Sequence, residues 1–236
     1  MQNGTQEIGF RGTFAVLRRF PYGARECVIP RTLILANFAI VVIGASVGGV
    51  AAMQKLVAGL DPRSPAAYFV VLHIGARESR LASILTAAGP LPAETAQDHQ
   101  AVSPGRIFIA PSDRHLLLNG NRMVLSRGPR INWTRPAIDP LFCSAARTFG
   151  PQVIGVLLTG RMNDGTAGLY DIRRCGGTTI IQDPGEAECP EMPASAFRHV
   201  EIDHCLPLES IPPLLSHLTR DVAAKRQEEP FGARVN

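Results

Sequence analysis

The sequence has few lysines, few aromatic residues and no long uninterrupted apolar run. Lys55 and Lys225 are the only lysines, so the net charge of +4 rests almost entirely on arginine. No basic run carries interleaved aromatic side chains, and we therefore expect no nucleic-acid partner. The apolar segment Thr32–Ile43 is interrupted by Asn37 and followed by Gly44, which makes it too short to span a bilayer. We expect no insertion into a membrane.

Cysteine is also scarce, and its spacing gives no sign of a metal site. The five cysteines are an odd number, and no pair has the spacing of a metal-binding knuckle. This pattern is typical of reduced, partly buried thiols in a cytoplasmic protein. The arginine-rich N-terminus lacks an apolar stretch ending in a small-residue cleavage site, so we assign no signal peptide. We expect a cytoplasmic protein without a metal or other cofactor.

The length of 236 residues suits one substantial α/β domain with its own core. Residues 1–36 show no hydrophobic period, and we predict a poorly ordered leader outside the fold. Residues 37–220 carry the regular pattern and form the predicted catalytic domain. Residues 221–236 are polar and charged, which predicts a frayed helix followed by a C-terminal tail.

Within residues 37–220, apolar strand patterns alternate with helical patterns. The predicted strands are Ala39–Ile43, Ala67–Leu72, Arg106–Ala110, Val153–Leu158 and Thr178–Gln182. The predicted helices are Val50–Val57, Leu81–Ala88, Pro140–Phe149, Ala167–Arg174 and Pro193–Val200. A hairpin is predicted where Leu116–Leu118 and Met123–Leu125 flank Asn-Gly-Asn. The alternation predicts a doubly wound, mostly parallel α/β sheet with helices on both faces and an inserted β-hairpin.

A glycine-rich turn, Gly44–Gly49, follows the first strand and places Ser46 at the carboxyl edge of the sheet. Three interpretations of this turn are open. It fits a phosphate-binding turn at a helix N-terminus, a G-x-S-x-G nucleophile elbow, or a merely structural glycine turn.

Two further strands also lead to polar residues capable of catalysis. The second strand ends at His73, and the strand Val153–Leu158 leads through Thr159-Gly160 to Asp164. A serine nucleophile needs an imidazole to accept its proton, and the imidazole needs a carboxylate to orient it. Because the carboxyl ends of parallel strands meet at one edge, we predict that Ser46, His73 and Asp164 meet there.

Each of these three residues also has an ordinary structural explanation. The serine fits a helix cap, the histidine a hydrogen-bonded strand end, and the aspartate a turn. Two other function classes fit less well. A dinucleotide site expects a glycine at Ser46 and an acidic residue at His73. In an α/β-hydrolase the catalytic residues follow the order Ser, acid, His. His199 or His204 would then be the late histidine, and we rank this interpretation second to the order Ser46, His73, Asp164.

Several segments recur, in the same order, in one known family. They are Ile43–Gly49, Val71–His73, Ile109–Leu116, Thr134–Asp139, Gly155–Gly165, Gly176–Asp183 and Met192-Pro193. On these motifs the chain resembles the catalytic domain of the CheB-type chemotaxis methylesterases, from about Asn37 to Leu215.

The resemblance implies a serine hydrolase that demethylates glutamate methyl esters on the cytoplasmic helices of chemoreceptors. Many members also deamidate glutamines. It implies Ser46 as the nucleophile, His73 as the general base and acid, and Asp164 as the carboxylate that orients it. It further implies that the backbone N–H of Arg161 faces the oxyanion. Alternatives are a same-fold esterase or amidase with another substrate, and a catalytically impaired receptor-binding module.

The chain departs from the family pattern near the expected site. Val47 stands where the family usually has threonine, and Arg161-Met162 stands where it usually has Met-Gly. The usual member also carries an N-terminal receiver domain, and residues 1–36 are too short for one. We therefore expect a stand-alone esterase domain that its own phosphorylation does not switch.

Other polar residues are open to two interpretations. Asp139 either lines the site or bonds within the core. Arg135, Arg130 and Arg77 either face an acidic receptor or are ordinary solvated arginines. The segment Asp113-Arg114-His115 follows a strand and is predicted to be a structural turn.

Overall fold

The computed structural model describes residues 36–73 and 80–228. Its strands are β1 (Ala39–Ala45), β2 (Ala66–Leu72), β3 (Ala93–Thr95), β4 (Ile107–Ile109), β5 (His115–Asn119), β6 (Arg122–Ser126), β7 (Val153–Leu157), β8 (Thr178–Gln182) and β9 (His204–Leu206). Its helices are α1 (Gly49–Ala58), α2 (Leu81–Ala88), α3 (Ile138–Phe149), α4 (Thr166–Arg174), α5 (Glu191–His199) and α6 (Ile211–Glu228).

A seven-stranded sheet with the order β3-β4-β2-β1-β7-β8-β9 forms the centre of the fold. All of its strand pairs are parallel. Every residue of β1 and β2 is buried, as expected for strands covered on both faces. In the register, Gly44 lies opposite both Val71 of β2 and Leu157 of β7. The carboxyl ends of β1, β2 and β7 therefore lie side by side.

The two faces of the sheet pack against different helices. Ile40 and Val42 of β1 belong to a core shared with α3, α4 and α5. Val41 and Ile43 face the opposite core, which includes side chains of α1, α2 and α6. Successive residues of a strand point to opposite faces, so one apolar run serves both cores. The predicted doubly wound α/β class is confirmed, and β5 and β6 form the predicted antiparallel hairpin.

Two short strands differ from the expectations drawn from the sequence. The three-residue strands β3 and β9 were not predicted, because neither is a continuous apolar run. α6 continues past residue 220 to Glu228, within the segment predicted as a frayed helix followed by a tail. Residues 1–35 of the predicted leader and residues 229–236 of the predicted tail lie outside the described part of the chain.

Three of the cysteines in the part of the chain that the structure describes are free thiols. They are Cys143, Cys189 and Cys205. Over residues 36–73 and 80–228, no helix has the length and apolar character needed to cross a membrane. The same residues hold no cluster of histidine, cysteine or carboxylate side chains suited to a metal ion.

Candidate active site

Ser46 lies in the turn between β1 and α1. Its backbone N–H donates to Thr159 O at 2.9 Å, which ties the turn to the end of β7. Gly48 precedes α1 and has φ +74°, a backbone conformation that residues with a side chain rarely adopt. A Cβ at Gly48 would also lie 2.7 Å from Glu188 Oε2. The tight turn therefore needs glycine at this position.

His73 follows β2 and connects Ser46 with Asp164. Its Nε2 lies 2.9 Å from Asp164 Oδ2, and its Nδ1 lies 3.2 Å from Ser46 Oγ. An ionised carboxylate only accepts hydrogen bonds, so Nε2 carries the proton and Nδ1 is free to accept from the serine hydroxyl. The His73 side chain is 13% exposed and the Asp164 side chain 3%. The three residues predicted to meet at the sheet edge do so.

Asp164 is held from several sides. Its Oδ2 accepts from His73 and from the backbone N–H of Ile138 at 2.7 Å. Its Oδ1 accepts from the Asp139 N–H at 3.1 Å and from Asn132 Nδ2 at 2.8 Å. Burial acts to raise the pKa of Asp164, but the His73, Ile138 and Asn132 donors outweigh it and lower that pKa below its ordinary value. The carboxylate is therefore ionised at neutral pH.

Asp139 is a second buried carboxyl group at the site. Its Oδ1 accepts from the N–H groups of Gly165 and Gly168 at 3.0 and 2.8 Å, and its Oδ2 accepts from Asn132 Nδ2 at 2.8 Å. Burial, reinforced by the negative charge of Asp164, raises the pKa of Asp139 to about 7. Both interpretations left open for this residue apply, because it bonds within the core and also adjoins the site.

Asn132 was not identified from the sequence. It lies in a two-residue turn closed by reciprocal Ile131 and Thr134 backbone hydrogen bonds of 3.1 and 2.9 Å. Asn132 and Trp133 have φ values of +49° and +65°. Asparagine is common at left-handed turn positions, so the turn itself has a local sequence signal. The contact of Asn132 with Asp164 spans 32 residues, and no local sequence pattern indicates it.

The turn that carries Asn132 is fixed by the segment after β4. His115 Nδ1 accepts from the Ala137 N–H at 3.2 Å, and its Nε2 lies 3.0 Å from Pro129 O. Arg135 donates to Asp113 Oδ1 at 2.6 Å and to Gly128 O at 2.9 Å. These contacts support the structural interpretation of Asp113-Arg114-His115.

The three arginines considered as receptor contacts have different positions. Arg135 is 19% exposed and has the structural bonds described above. Arg130 is 57% exposed, with its guanidinium 3.9 Å from Asp113. Arg77 lies outside the described residues. Of these two described arginines, Arg130 is the more exposed and is therefore more available to a partner than Arg135.

The loop from Gly160 to Asp164 crosses the site between β7 and α4. Gly160 N–H donates to Cys189 O, and Met162 N–H donates to Glu191 Oε2, both at 2.9 Å. Met162 has φ +68° and is 53% exposed. Across residues 36–73 and 80–228, the backbone N–H groups of Val47 and Arg161 have no hydrogen-bond acceptor. One free N–H donor thus directly follows Ser46, and the other lies in the loop from Gly160 to Asp164.

The alternative late histidines do not take part in this arrangement. His199 ends α5, and its Nδ1 lies 2.8 Å from Ser195 O. His204 begins the edge strand β9 and pairs with Ile180. Since His73 bonds both Ser46 and Asp164, the α/β-hydrolase order is not needed to complete the site.

A hydroxyl, an imidazole and a buried carboxylate are joined in series above the carboxyl edge of a parallel sheet. This arrangement places the protein among α/β proteins with the site geometry of serine hydrolases. The CheB methylesterase family model matches residues 41–215. The chain belongs to the CheB methylesterase family.

Similar proteins agree with this assignment. Protein-glutamate methylesterase/protein-glutamine glutaminase 2 of Anaeromyxobacter dehalogenans is 40% identical over 186 residues, which are 78% of this chain and 54% of that protein. A putative enzyme of the same name from Leptospira interrogans is 34% identical over 192 residues and is covered completely. This chain thus spans about half of the first relative and all of the second.

A solved structure shares the fold. The crystal structure of the Thermotoga maritima CheB methylesterase catalytic domain is 34% identical to this chain, with a TM-score of 0.74. The match covers 76% of this chain and 98% of the Thermotoga chain. The family and the parallel α/β fold predicted from the sequence are confirmed.

Proposed function

We propose that this protein is a serine hydrolase that removes methyl groups from glutamate methyl esters on the cytoplasmic helices of a chemoreceptor. One observation carries the proposal: His73 lies 3.2 Å from Ser46 Oγ and 2.9 Å from Asp164 Oδ2 within a CheB-family fold. The names of the relatives support the substrate class and add glutamine deamidation as a second reaction.

In the first half of the reaction, Ser46 Oγ attacks the ester carbonyl carbon while His73 Nδ1 takes the hydroxyl proton. Asp164 stabilises the resulting imidazolium through its bond to Nε2. The tetrahedral intermediate collapses when His73 returns the proton to the methoxy oxygen. Methanol leaves, and the glutamyl group remains bound to Ser46 as an ester.

In the second half, His73 takes a proton from water, and the hydroxide attacks the acyl carbon. Collapse of this second intermediate returns the proton to Ser46 Oγ and releases the glutamate carboxylate. A glutamine substrate follows the same route with ammonia as the leaving group.

The free N–H groups of Val47 and Arg161 are the proposed oxyanion donors. Both are backbone groups, so the unusual side chains at these positions leave the donors in place. Removing one oxyanion-hole donor typically costs about 10²–10³ in rate. The exposed side chains of Arg161 and Met162, together with Val47, are proposed to contact the substrate beside the scissile bond.

The partner and setting follow from the same proposal. We assign the cytoplasmic domain of a methyl-accepting chemoreceptor as substrate, residues 37–220 as the catalytic domain and the cytoplasm as the location.

The test is methanol release from a methylated receptor fragment. Ser46→Ala is expected to abolish release while leaving thermal unfolding unchanged. Ser83→Ala makes the same change at an exposed position on α2 and is expected to retain full activity. Turnover by Ser46→Ala equal to that of the unmodified protein would refute the mechanism, and small esters tested in parallel distinguish a different substrate.

A further inference from the structure

One side chain outside the Ser46–His73–Asp164 series bonds both buried carboxyl groups of the site. Asn132 Nδ2 lies 2.8 Å from Asp164 Oδ1 and 2.8 Å from Asp139 Oδ2. A primary amide has two N–H donors, so both bonds form together. We propose that Asn132 is a positioning residue for the hydrolysis, which holds Asp164 in the orientation that His73 requires. This inference rests on the proposed function.

Asp164 depends on Asn132 because its two oxygens have unequal support. Oδ2 receives the short bonds from His73 and Ile138, at 2.9 and 2.7 Å. Oδ1 receives the longer 3.1 Å bond from the Asp139 N–H and the 2.8 Å bond from Asn132. Without the amide, Oδ1 keeps one long bond and faces the Asp139 carboxyl group without an intervening donor. With so little support on its Oδ1 side, the Asp164 carboxylate is freer to rotate away from its present plane.

The backbone around Asn132 is suited to a fixed donor. Asn132 and Trp133 occupy a left-handed turn that two backbone hydrogen bonds close. Asparagine tolerates this conformation better than most residues, whereas tryptophan does not. Arg135, which follows the turn, anchors it through bonds to Gly128 O and Asp113. The amide is therefore held in place before a substrate arrives, which is what a positioning residue needs.

The ionisable groups near Asp164 define the expected pH effect. His73 bonds it from the end of β2, Asp139 faces it from α3, and His115 lies within electrostatic range from β5. Without the Asn132 donor, the Asp164 carboxylate is less well placed to stabilise protonated His73. The acid limb of kcat/KM then moves to lower pH.

The experiment compares two glycine variants of the same turn. Asn132→Gly removes the amide at φ +49°, a backbone conformation that glycine adopts freely. Trp133→Gly makes the matched change at φ +65° and removes a side chain that is 83% exposed. We measure kcat and KM over pH with a small methyl ester, and thermal unfolding of each variant.

For Asn132→Gly we expect kcat to fall roughly 10- to 100-fold, with KM nearly constant and the acid limb displaced to lower pH. For Trp133→Gly we expect the acid limb to stay in place. Equal pH profiles for Asn132→Gly and the unmodified protein, or an equal displacement in both variants, would overturn the proposal.

Failure of the proposed function is recognised separately. If the unmodified protein hydrolyses no ester, the NMR titration of the His73 ring replaces turnover as the readout. A titration midpoint that moves to lower pH in Asn132→Gly, and not in Trp133→Gly, supports the positioning role. An unchanged midpoint overturns that role, whether or not the hydrolase assignment holds.

Discussion

Asp139 and Asp164 exchange helix caps. The side chain of Asp164 caps α3, and the side chain of Asp139 caps α4. Asp164 precedes α4 but accepts the N–H groups of Ile138 and Asp139 at the start of α3. Asp139 belongs to the first turn of α3 but accepts the N–H groups of Gly165 and Gly168 at the start of α4. Carboxylates are favourable at helix N-termini, so the exchange locks α3 against α4 and fixes the acid of the site.

The burial of both carboxyl groups predicts that they carry one negative charge between them below neutral pH. Burial and the charge of Asp164 raise the pKa of Asp139 to about 7. We expect an infrared carbonyl band of a protonated carboxyl group that disappears as the pH rises through this value. Asp139→Asn is expected to lack the band. A spectrum without such a band below neutral pH contradicts the shared charge.

The same group predicts an unusual stability profile. The pKa of Asp139 in the folded protein lies above its unfolded value, so its contribution to stability is complete at low pH. That contribution is lost as the pH rises from about 4 to about 7. Denaturant unfolding across this range measures it, as the difference between the unmodified protein and Asp139→Asn. Equal pH slopes for the two proteins would exclude it.

The burial of His115 predicts a pH dependence of stability with the opposite sign to that of Asp139. Burial lowers the pKa of His115, which accepts from the Ala137 N–H and therefore needs an unprotonated Nδ1. Its contribution to stability is present above the unfolded pKa of about 6.5 and is lost as the pH falls below it. His115→Asn keeps an acceptor near Nδ1 and does not titrate. Denaturant unfolding should show a smaller loss of stability on acidification in this variant than in the unmodified protein, and equal losses would contradict the expectation.

Met162 predicts a stabilising substitution. It has φ +68° and an exposed side chain, at a position where the family pattern has glycine. Met162→Gly is expected to stabilise the fold by about 0.5–1 kcal/mol, because relief of strain exceeds the added flexibility of the unfolded chain. Neighbouring Asn163 has no positive φ, so Asn163→Gly should destabilise. Thermal unfolding compares the two, and a lower Tm for Met162→Gly would contradict the expectation.

Glu191 predicts a separable effect on the oxyanion loop. Its carboxylate accepts the Met162 N–H at 2.9 Å, which fixes the loop that presents Arg161 N–H. Glu191→Ala is expected to lower kcat roughly tenfold, because the donor is less well placed. Glu191→Gln retains an acceptor and should retain most of the rate. The exposed Glu209→Ala serves as the control, and equal rates for all three variants argue against a role for Glu191.

Sequence reasoning identifies the parts of this fold that long apolar runs specify. Runs such as Ala67–Leu72 predict strands buried on both faces, and the parallel arrangement then places the residues that follow them at one edge. That logic brings Ser46, His73 and Asp164 together. It fails for β3 and β9, whose three residues are too few to show a period and whose pairing depends on neighbouring strands.

Asn132 illustrates why the surroundings of the site are harder to predict. Its partners Asp139 and Asp164 lie 7 and 32 residues away in sequence, and the packing of α3 against α4 brings them together. No local period encodes such a contact. The sequence likewise offered two interpretations of Asp139, and the exchange of helix caps becomes visible only when both helices are in place.

The middle position of β1 between β2 and β7 has a consequence for assembly of the site. The nucleophile, base and acid come from three segments that touch only after both neighbours have paired with β1. A truncated chain ending before β7 keeps the serine and histidine but lacks the carboxylate. During refolding, recovery of esterase turnover is therefore expected to report completion of the central three-strand unit, and not the formation of any single βα segment.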